Sequence, residues 1–188
     1  MNYRNIDLND FAAAHAQGLR DRELAAHFGV GLETVRRRRA QLGLGSNCPN
    51  NNKGRHAEAL VTALLTAQGA EVQPQAYHAH HDLLVNGWRV DVKAGRTRIH
   101  RKVTSLEFRL PERRNSNLNT ASYPKDYQQD TDFFALVAFE GDRLTDAYVL
   151  PVSLWQPSIT VQPDSEFCPY RPYRDAWAQL SPAAGVAV

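Results

Sequence analysis

The dipeptide Asn86-Gly87 restricts this chain's fold more tightly than any other pair of neighbours in it. A two-residue hairpin loop needs positive φ at both positions, and Asn followed by Gly supplies it. Residues 81–93, from His81-Asp82-Leu83 through to Asp91-Val92-Lys93, therefore read as two short strands folded back on each other. That pairing sets Val85 opposite Trp88, Leu84 opposite Arg89, Leu83 opposite Val90 and Asp82 opposite Asp91. Side chains alternate along a strand, so Leu83, Val85, Trp88, Val90 and Val92 form one apolar face. Asp82, Asp91 and Lys93 share the other. Two carboxylates facing each other at roughly 5 Å between Cβ atoms repel. A hairpin built this way needs a cation to hold.

Charge along the chain is uneven despite a net of +2. Residues 1–53 carry eight Lys/Arg against five Asp/Glu, and residues 95–125 carry eight against two, while residues 126–188 carry three against nine. Basic charge gathered at the N-terminus and just after the hairpin predicts a polyanionic partner. No long apolar run is present to span a membrane, and the polar start lacks a secretory h-region. Cys48 and Cys168 stand far apart with no CxxC spacing, so they read as reduced thiols in a cytoplasmic protein.

Residues 7–44 predict three short helices. Phe11, Ala12, His15 and Leu19 give the first stripe, and Asp21 is expected to cap a second containing Leu24, Ala25 and Phe28. After Gly29-Val30-Gly31 a third runs from about Glu33 to Leu42. Ala25, Gly29 and Val35 resemble the helix-turn-helix pattern of bacterial DNA-binding proteins over residues 20–44. Four consecutive arginines, Arg36, Arg37, Arg38 and Arg39, go nearly round this third helix. Val35 and Leu42 mark its buried side, so Arg38 or Arg39 lies near that side and others reach outward. Thr34, Arg36 and Arg37 are the expected base-edge contacts, within a DNA-binding set of Thr34 and Arg36 to Arg39.

This gives a first domain over 1–44, a linker over 45–53 rich in Gly, Ser and Asn, and a main domain over 54–188. A helix is expected from Lys53 or Gly54, capped by Asn52, with Ala57, Leu60, Val61, Leu64 and Leu65 buried and Glu58 at the edge of that stripe. Ala70–Ala76 predicts a short edge strand interrupted by Pro74, and the hairpin follows. Next comes a basic stretch with Arg96, Arg98, His100, Arg101 and Lys102, then a strand alternating through Thr104, Leu106, Phe108 and Leu110. Residues 111–125 read as a mobile basic loop. Asp132–Phe139 is apolar throughout, as in a strand covered on both faces, and Ala147–Val152 returns beside it. A short amphipathic helix near Tyr173–Leu180 and an unstructured tail close the chain. His78, His80 and His81 lack the partner spacing of a closed zinc site.

A helix bearing Glu58, then Asp82, then Asp91-Val92-Lys93 resembles the PD-(D/E)xK nuclease superfamily. Gly54 to Glu58 resembles the G-x-x-x-E opening of archaeal-type Holliday junction resolvases. Tyr127-Gln128-Gln129-Asp130-Thr131-Asp132-Phe133-Phe134 with Ala147–Val152 resembles the second half of endonucleases that include intron-encoded homing enzymes. His81 stands where the motif's name has proline. The resemblance covers roughly residues 53–155. It implies an α/β fold, a restriction-endonuclease-like mixed β-sheet flanked by helices, behind a small all-α helix-turn-helix domain. It further implies a Mg2+-dependent, site-specific DNA endonuclease, with Mn2+ able to substitute; the alternatives are a junction resolvase or an inactive DNA-binding protein on a nuclease fold. By the same resemblance Asp82, Asp91, the Val92 carbonyl and Glu58 would hold the metal, Lys93 would orient or deprotonate water, and Gln129 would help position it. Arg55, Arg96 and Arg98 would contact backbone phosphates of double-stranded or branched DNA. Cutting both strands with one site each implies a homodimer.

Overall fold

The computed structural model describes residues 6–76, 79–115 and 122–182. The chain divides after Lys53 into two units, each with its own core.

In the first unit, α1 (Leu8–Ala16), α2 (Asp21–Phe28) and α3 (Leu32–Gln41) close over Ile6, Phe11, Ala14, Leu24 and Val35. The Asp7 side chain accepts the N–H groups of Asn9 and Asp10 at 2.7 and 3.1 Å, capping α1. Gly29 ends α2 in the left-handed region at φ 63°, where a glycine carries no Cβ penalty. Asp21 is not the cap of α2; it is the first helical residue, and the Glu23 carboxylate accepts the N–H of Arg20 at 2.7 Å instead. Asp21 is thereby free to pair with Arg39 of α3 at 2.8 Å. The expected linker is partly ordered. Gly45 accepts from the His15 ring at 2.9 Å, and the Asn47 amide donates to the carbonyls of His15 and Leu19.

Helix α4 (Pro49–Ala67) begins four residues before Lys53, so Asn52 lies inside it rather than capping it. Proline is at home in a first turn, whose N–H groups have no helical partner. Ala57, Val61 and Leu65 of α4 are fully or almost fully buried. They pack on one face of a five-stranded sheet ordered β1-β2-β3-β8-β9, where β1 is Val72–Pro74, β2 Leu83–Val85, β3 Trp88–Ala94, β8 Phe133–Glu140 and β9 Arg143–Pro151. Only β3 and β8 run parallel. Burying each Val or Leu of the α4 stripe contributes roughly 1.5–3 kcal/mol before the entropic cost of ordering it.

The hairpin has the register that Asn86-Gly87 predicts: Leu83 faces Val90, Leu84 faces Arg89 and Val85 faces Trp88. Asn86 and Gly87 both take positive φ, 49° and 88°. Val90 and Val92 point into the α4 side with Ala135 and Val137 of β8. Alternation therefore sends Asp91 and Lys93 to the opposite face, which carries Phe134 and Leu136.

That opposite face is covered by a second sheet, in which β5 (Val103–Arg109) lies between β10 (Ser158–Val161) and β4 (Arg96–His100), and by the short helix α5 (Tyr127–Asp130). Strand β4 (Arg96–His100) was hidden in what reads as a basic stretch. It turns at Arg101, φ 57°, into β5 (Val103–Arg109). All five β4 residues are exposed. Gly95 makes the passage from β3 to β4 possible: a Cβ there would lie 2.6 Å from the Phe108 ring. Strand β10 (Ser158–Val161) has no counterpart in the sequence reading, and the stretch 111–125 contains the two strands of a small sheet, β6 (Arg113–Asn115) and β7 (Ser122–Pro124). Residues 116–121 of that stretch, with the mobility expected of them, lie outside the described residues. The expected C-terminal helix is instead two 3-10 turns, Arg171–Tyr173 and Trp177–Leu180. Pro172 inside the first turn and Asp175 at φ 49° between them prevent a continuous helix.

The result is a mixed α/β fold with a mixed β-sheet flanked by helices. No helix among the described residues is long and apolar enough to cross a membrane.

Candidate active site

Asp91 is, with Thr131, one of two buried polar residues among those described, 2% exposed in the middle of β3. A carboxylate so placed is costly unless paired and hydrogen-bonded. Its Oδ2 meets the ammonium of Lys93, two residues along the same strand face, and its Oδ1 lies 3.9 Å from Lys125 Nζ.

Asp82 sits directly before β2, and the backbone explains its position. Strand β2 begins at Leu83, so nothing on the β2 backbone remains to receive the N–H of Val92. The Asp82 carboxylate accepts it at 2.7 Å. The Asp82 N–H donates to Val90 at 3.1 Å and its carbonyl accepts from Gln75 at 2.9 Å. Backbone and side chain are thus pinned together, which fixes the carboxylate without help from a ligand.

Lys93 Nζ lies at the centre. Besides Asp91 it stands 3.8 Å from Asp82 Oδ2 and donates to the Val92 carbonyl at 3.2 Å. Burial works against its charge, but Asp91 and Asp82 outweigh that and hold its pKa above the ordinary lysine range. It is therefore an ammonium, not a free amine.

Glu58 follows Ala57 at the edge of the α4 stripe. Burial, then the charges of Asp82 and Asp91, push it up to about 7, against the partial relief of Lys93 and Arg55. Asp82 is also raised, by burial first and by Asp91, with Lys93, the Val92 N–H and Lys125 pulling the other way. Three acids thus share one site with too little positive charge.

Among the described residues no three His, Cys, Asp or Glu side chains stand together as a ready cage for a metal ion. The donor chemistry nevertheless fits one. Asp82, Asp91 and the Val92 carbonyl all surround a single cation already, the Lys93 ammonium. These are hard oxygen donors of the kind Mg2+ prefers.

Gln129 is not brought into this cluster. Its side chain is exposed on α5, its N–H is held by Asp126, and its carbonyl accepts from Arg89. Arg89 also clasps Asp132 with Nε and Nη2 at 3.0 and 2.7 Å, which fastens β3 to the start of β8. His80 pairs with Asp130 of α5 at 2.8 Å. Arg55 is exposed, with its charge felt at Glu58. Arg96 and Arg98 are exposed on β4, Arg98 beside Glu107 at 2.7 Å. Of the helical arginines, Arg37 is exposed, whereas Arg38 bonds Gln41 and Arg39 is occupied by Asp21 and the Leu44 carbonyl. Arg36 lies 3.9 Å from Asp21, and Thr34 is half-buried on α3.

Two residues of the site escaped the sequence reading: Lys125 and Tyr127. Tyr127 is 4% exposed, receives Lys125 Nζ on its phenolic oxygen at 3.2 Å, and has its pKa raised by burial and then by Asp91. The one available signal was their position immediately before and within the segment Tyr127–Phe134.

This arrangement, a buried acid and lysine on a central strand with acids from the hairpin and a helix beside them, sits on a nuclease-like fold that a solved structure shares. A bacterial homing endonuclease, I-Ssp6803I, superposes with a TM-score of 0.54 at 21% identity, over 70% of this chain and 93% of that one. No protein-family model matches the chain, and no curated protein matches it.

Proposed function

We propose that this chain is a Mg2+-dependent DNA endonuclease of the PD-(D/E)xK type that cuts at specific sites. The observation that carries the reading is the common focus of Asp82, Asp91 and the Val92 carbonyl on one cation, with Glu58 close enough to feel all of their charges. The shared fold with a bacterial homing endonuclease supports it.

Asp82, Asp91 and the Val92 carbonyl would hold Mg2+, with Glu58 beside them; the ion would supply Lewis-acid polarisation of the phosphate and neutralise the departing 3′-oxygen. The protein's own part follows from its geometry. Asp82 is preset by its bond to the Val92 N–H, so little reorganisation accompanies binding. Lys93, on the same strand face as Asp91, would stabilise charge on the phosphate and orient or help deprotonate the attacking water. Glu58, at the edge of the α4 stripe and within reach of the charges of Asp82 and Asp91, would hold a metal-bound water or a second ion.

Targeting falls to two basic features. Strand β4 presents Arg96 and Arg98 with every residue exposed, and it leaves β3 two residues after Lys93. A two-stranded ribbon of this kind fits a major groove. The N-terminal helices, read as a helix-turn-helix, offer Arg37 and Arg36, while Arg39 holds the helices together. Both features belong to a protein acting as a homodimer on duplex DNA, with Mn2+ able to replace Mg2+.

Incubation with a random linear duplex library and with a synthetic four-way junction tests the site-specific reading. Sequenced products should share a base pattern at the cut in the duplex library. Symmetric nicks confined to the junction, with the duplex left whole, would contradict site specificity and assign the chain to junction resolution.

A further inference from the structure

Lys125 stands out among the site's side chains because Asp91 does not need it. The Lys93 ammonium already contacts Asp91 Oδ2, whereas Lys125 Nζ approaches Oδ1 from the other side at 3.9 Å, too far for a hydrogen bond. Its nearer partner is the Tyr127 phenol, 3.2 Å away, and the same ammonium lies 4.8 Å from the centre of that ring. The two lysines have equal side-chain exposure, 20%. They come from unrelated elements: Lys93 from the central strand, Lys125 from the short connection between β7 and α5. The Lys125 N–H donates to the Glu112 carbonyl at 2.8 Å, and Asp126 caps α5 directly after it. The side chain is therefore aimed at the acids from a backbone held at both ends.

We propose that Lys125 is a second phosphate-binding cation of the site, contacting a non-bridging oxygen of the DNA strand alongside Lys93. The inference rests on the nuclease reading and extends it to a residue outside the Asp82, Asp91 and Lys93 set. Charge supports it. Glu58, Asp82 and Asp91 carry up to three negative charges against two from Lys93 and Lys125. A divalent cation reverses that balance to +1, which suits a phosphodiester monoanion. Without Lys125 the loaded site is neutral and loses its attraction for the phosphate. Tyr127 holds the ammonium in place through its oxygen and ring face, a contact that a desolvated aromatic makes favourable.

The experiment uses the full chain and a short duplex selected for binding from a random-sequence pool, with Ca2+ present to fill the acids by its own preference for oxygen ligands. Binding is followed by fluorescence anisotropy across a salt series, alongside cleavage in Mg2+. Lys125→Ala should reduce the slope of log K against log salt by about 0.9, the value for one lost phosphate contact. It should also lower kcat by roughly 10- to 100-fold. Lys125→Arg should recover the slope, because a guanidinium also binds phosphate. A Lys125→Ala protein with the wild-type salt slope and kcat but a lower melting temperature would overturn the proposal and leave Lys125 a counter-ion of Asp91. The nuclease reading fails separately, through wild-type protein that binds the duplex without cutting it. In that outcome a reduced salt slope for Lys125→Ala still supports the phosphate contact, and an unchanged one overturns it.

Discussion

Replacing Lys93 with methionine is expected to lower DNA cleavage in Mg2+ by on the order of 10³-fold, the scale of losing a charged group that acts in the transition state. The side chain stays unbranched and apolar in its stem but loses the ammonium, with its charge and its N–H donors. Removing the cation that Asp91, Asp82 and the Val92 carbonyl share leaves buried carboxylates without their main partner. Breaking a buried pair in this way costs roughly 3 kcal/mol, less whatever Lys125 makes up from 3.9 Å. The metal-free Lys93→Met protein should therefore melt well below wild type. Adding Mg2+ should recover much of that loss, because a divalent ion at the acids stabilises the folded state by mass action. Stability restored without activity restored is the expected signature. A variant that cuts at the wild-type rate, or whose melting temperature ignores Mg2+, would show that Lys93 is a surface-type partner of Asp91 and nothing more. Melting curves with and without the ion, beside a cleavage time course, make the comparison.

Glu58 gives the second large effect, and it depends on pH. Its pKa rises from an ordinary 4.5 to about 7 in the folded chain, chiefly through burial and then through Asp82. Between those two values the folded state holds a proton that the unfolded state has released. Stability therefore falls as pH climbs from about 4.5 to about 7, and the loss is complete above that window. Glu58→Gln removes the titration. The substitution should flatten the pH dependence and raise metal-free stability at pH 8 by about 1–2 kcal/mol, a figure reduced for solvent screening because the group is only half-buried. In Mg2+ the order should narrow, since wild type gains a cation that glutamine holds poorly. Chemical denaturation at pH 5 and pH 8 reads the effect. If Glu58→Gln shows the same pH slope as wild type, the carboxylate is not held near its acidic neighbours in solution. A site that destabilises its own fold until a cation arrives is one that is built for binding rather than for stability.

Much of this architecture could be read from residues alone, for identifiable reasons. Asn86-Gly87 fixed the hairpin because its turn type leaves a single register from Leu83 to Val90. The ladder ends there, and the Asp82 carboxylate takes the Val92 N–H next to Asp91 instead of pairing directly across from Asp91. The α4 stripe and the wholly apolar Phe133–Phe139 run announced the helix and the central strand through their periodicity. What was missed had weaker local signals. Strand β4 alternates Arg, Thr, Arg, Ile and His with all five residues exposed, so no apolar face betrays it; its pairing with β5 comes from tertiary context. Strand β10 is four residues long with only Ile159 and Val161 buried, too short for a periodic signal. Lys125 was lost in a basic stretch because nothing in its neighbours reveals that the chain returns to Asp91 at that point. Gln129 lies apart from the acid cluster. A residue carried over by resemblance alone lies exposed, held through its backbone by Asp126 and Arg89. Arg39, expected among the DNA contacts, is spent on Asp21, a pairing that only the angle between α2 and α3 makes available.

The most direct test of the central claim is conversion of supercoiled plasmid by wild-type protein and by Asp91→Asn, each in Mg2+ and in EDTA. Nicked or linear DNA is expected with wild type in Mg2+, none in EDTA, and none with Asp91→Asn in either. Wild-type cleavage that persists in EDTA, or an Asp91→Asn protein that still cuts in Mg2+, would contradict it.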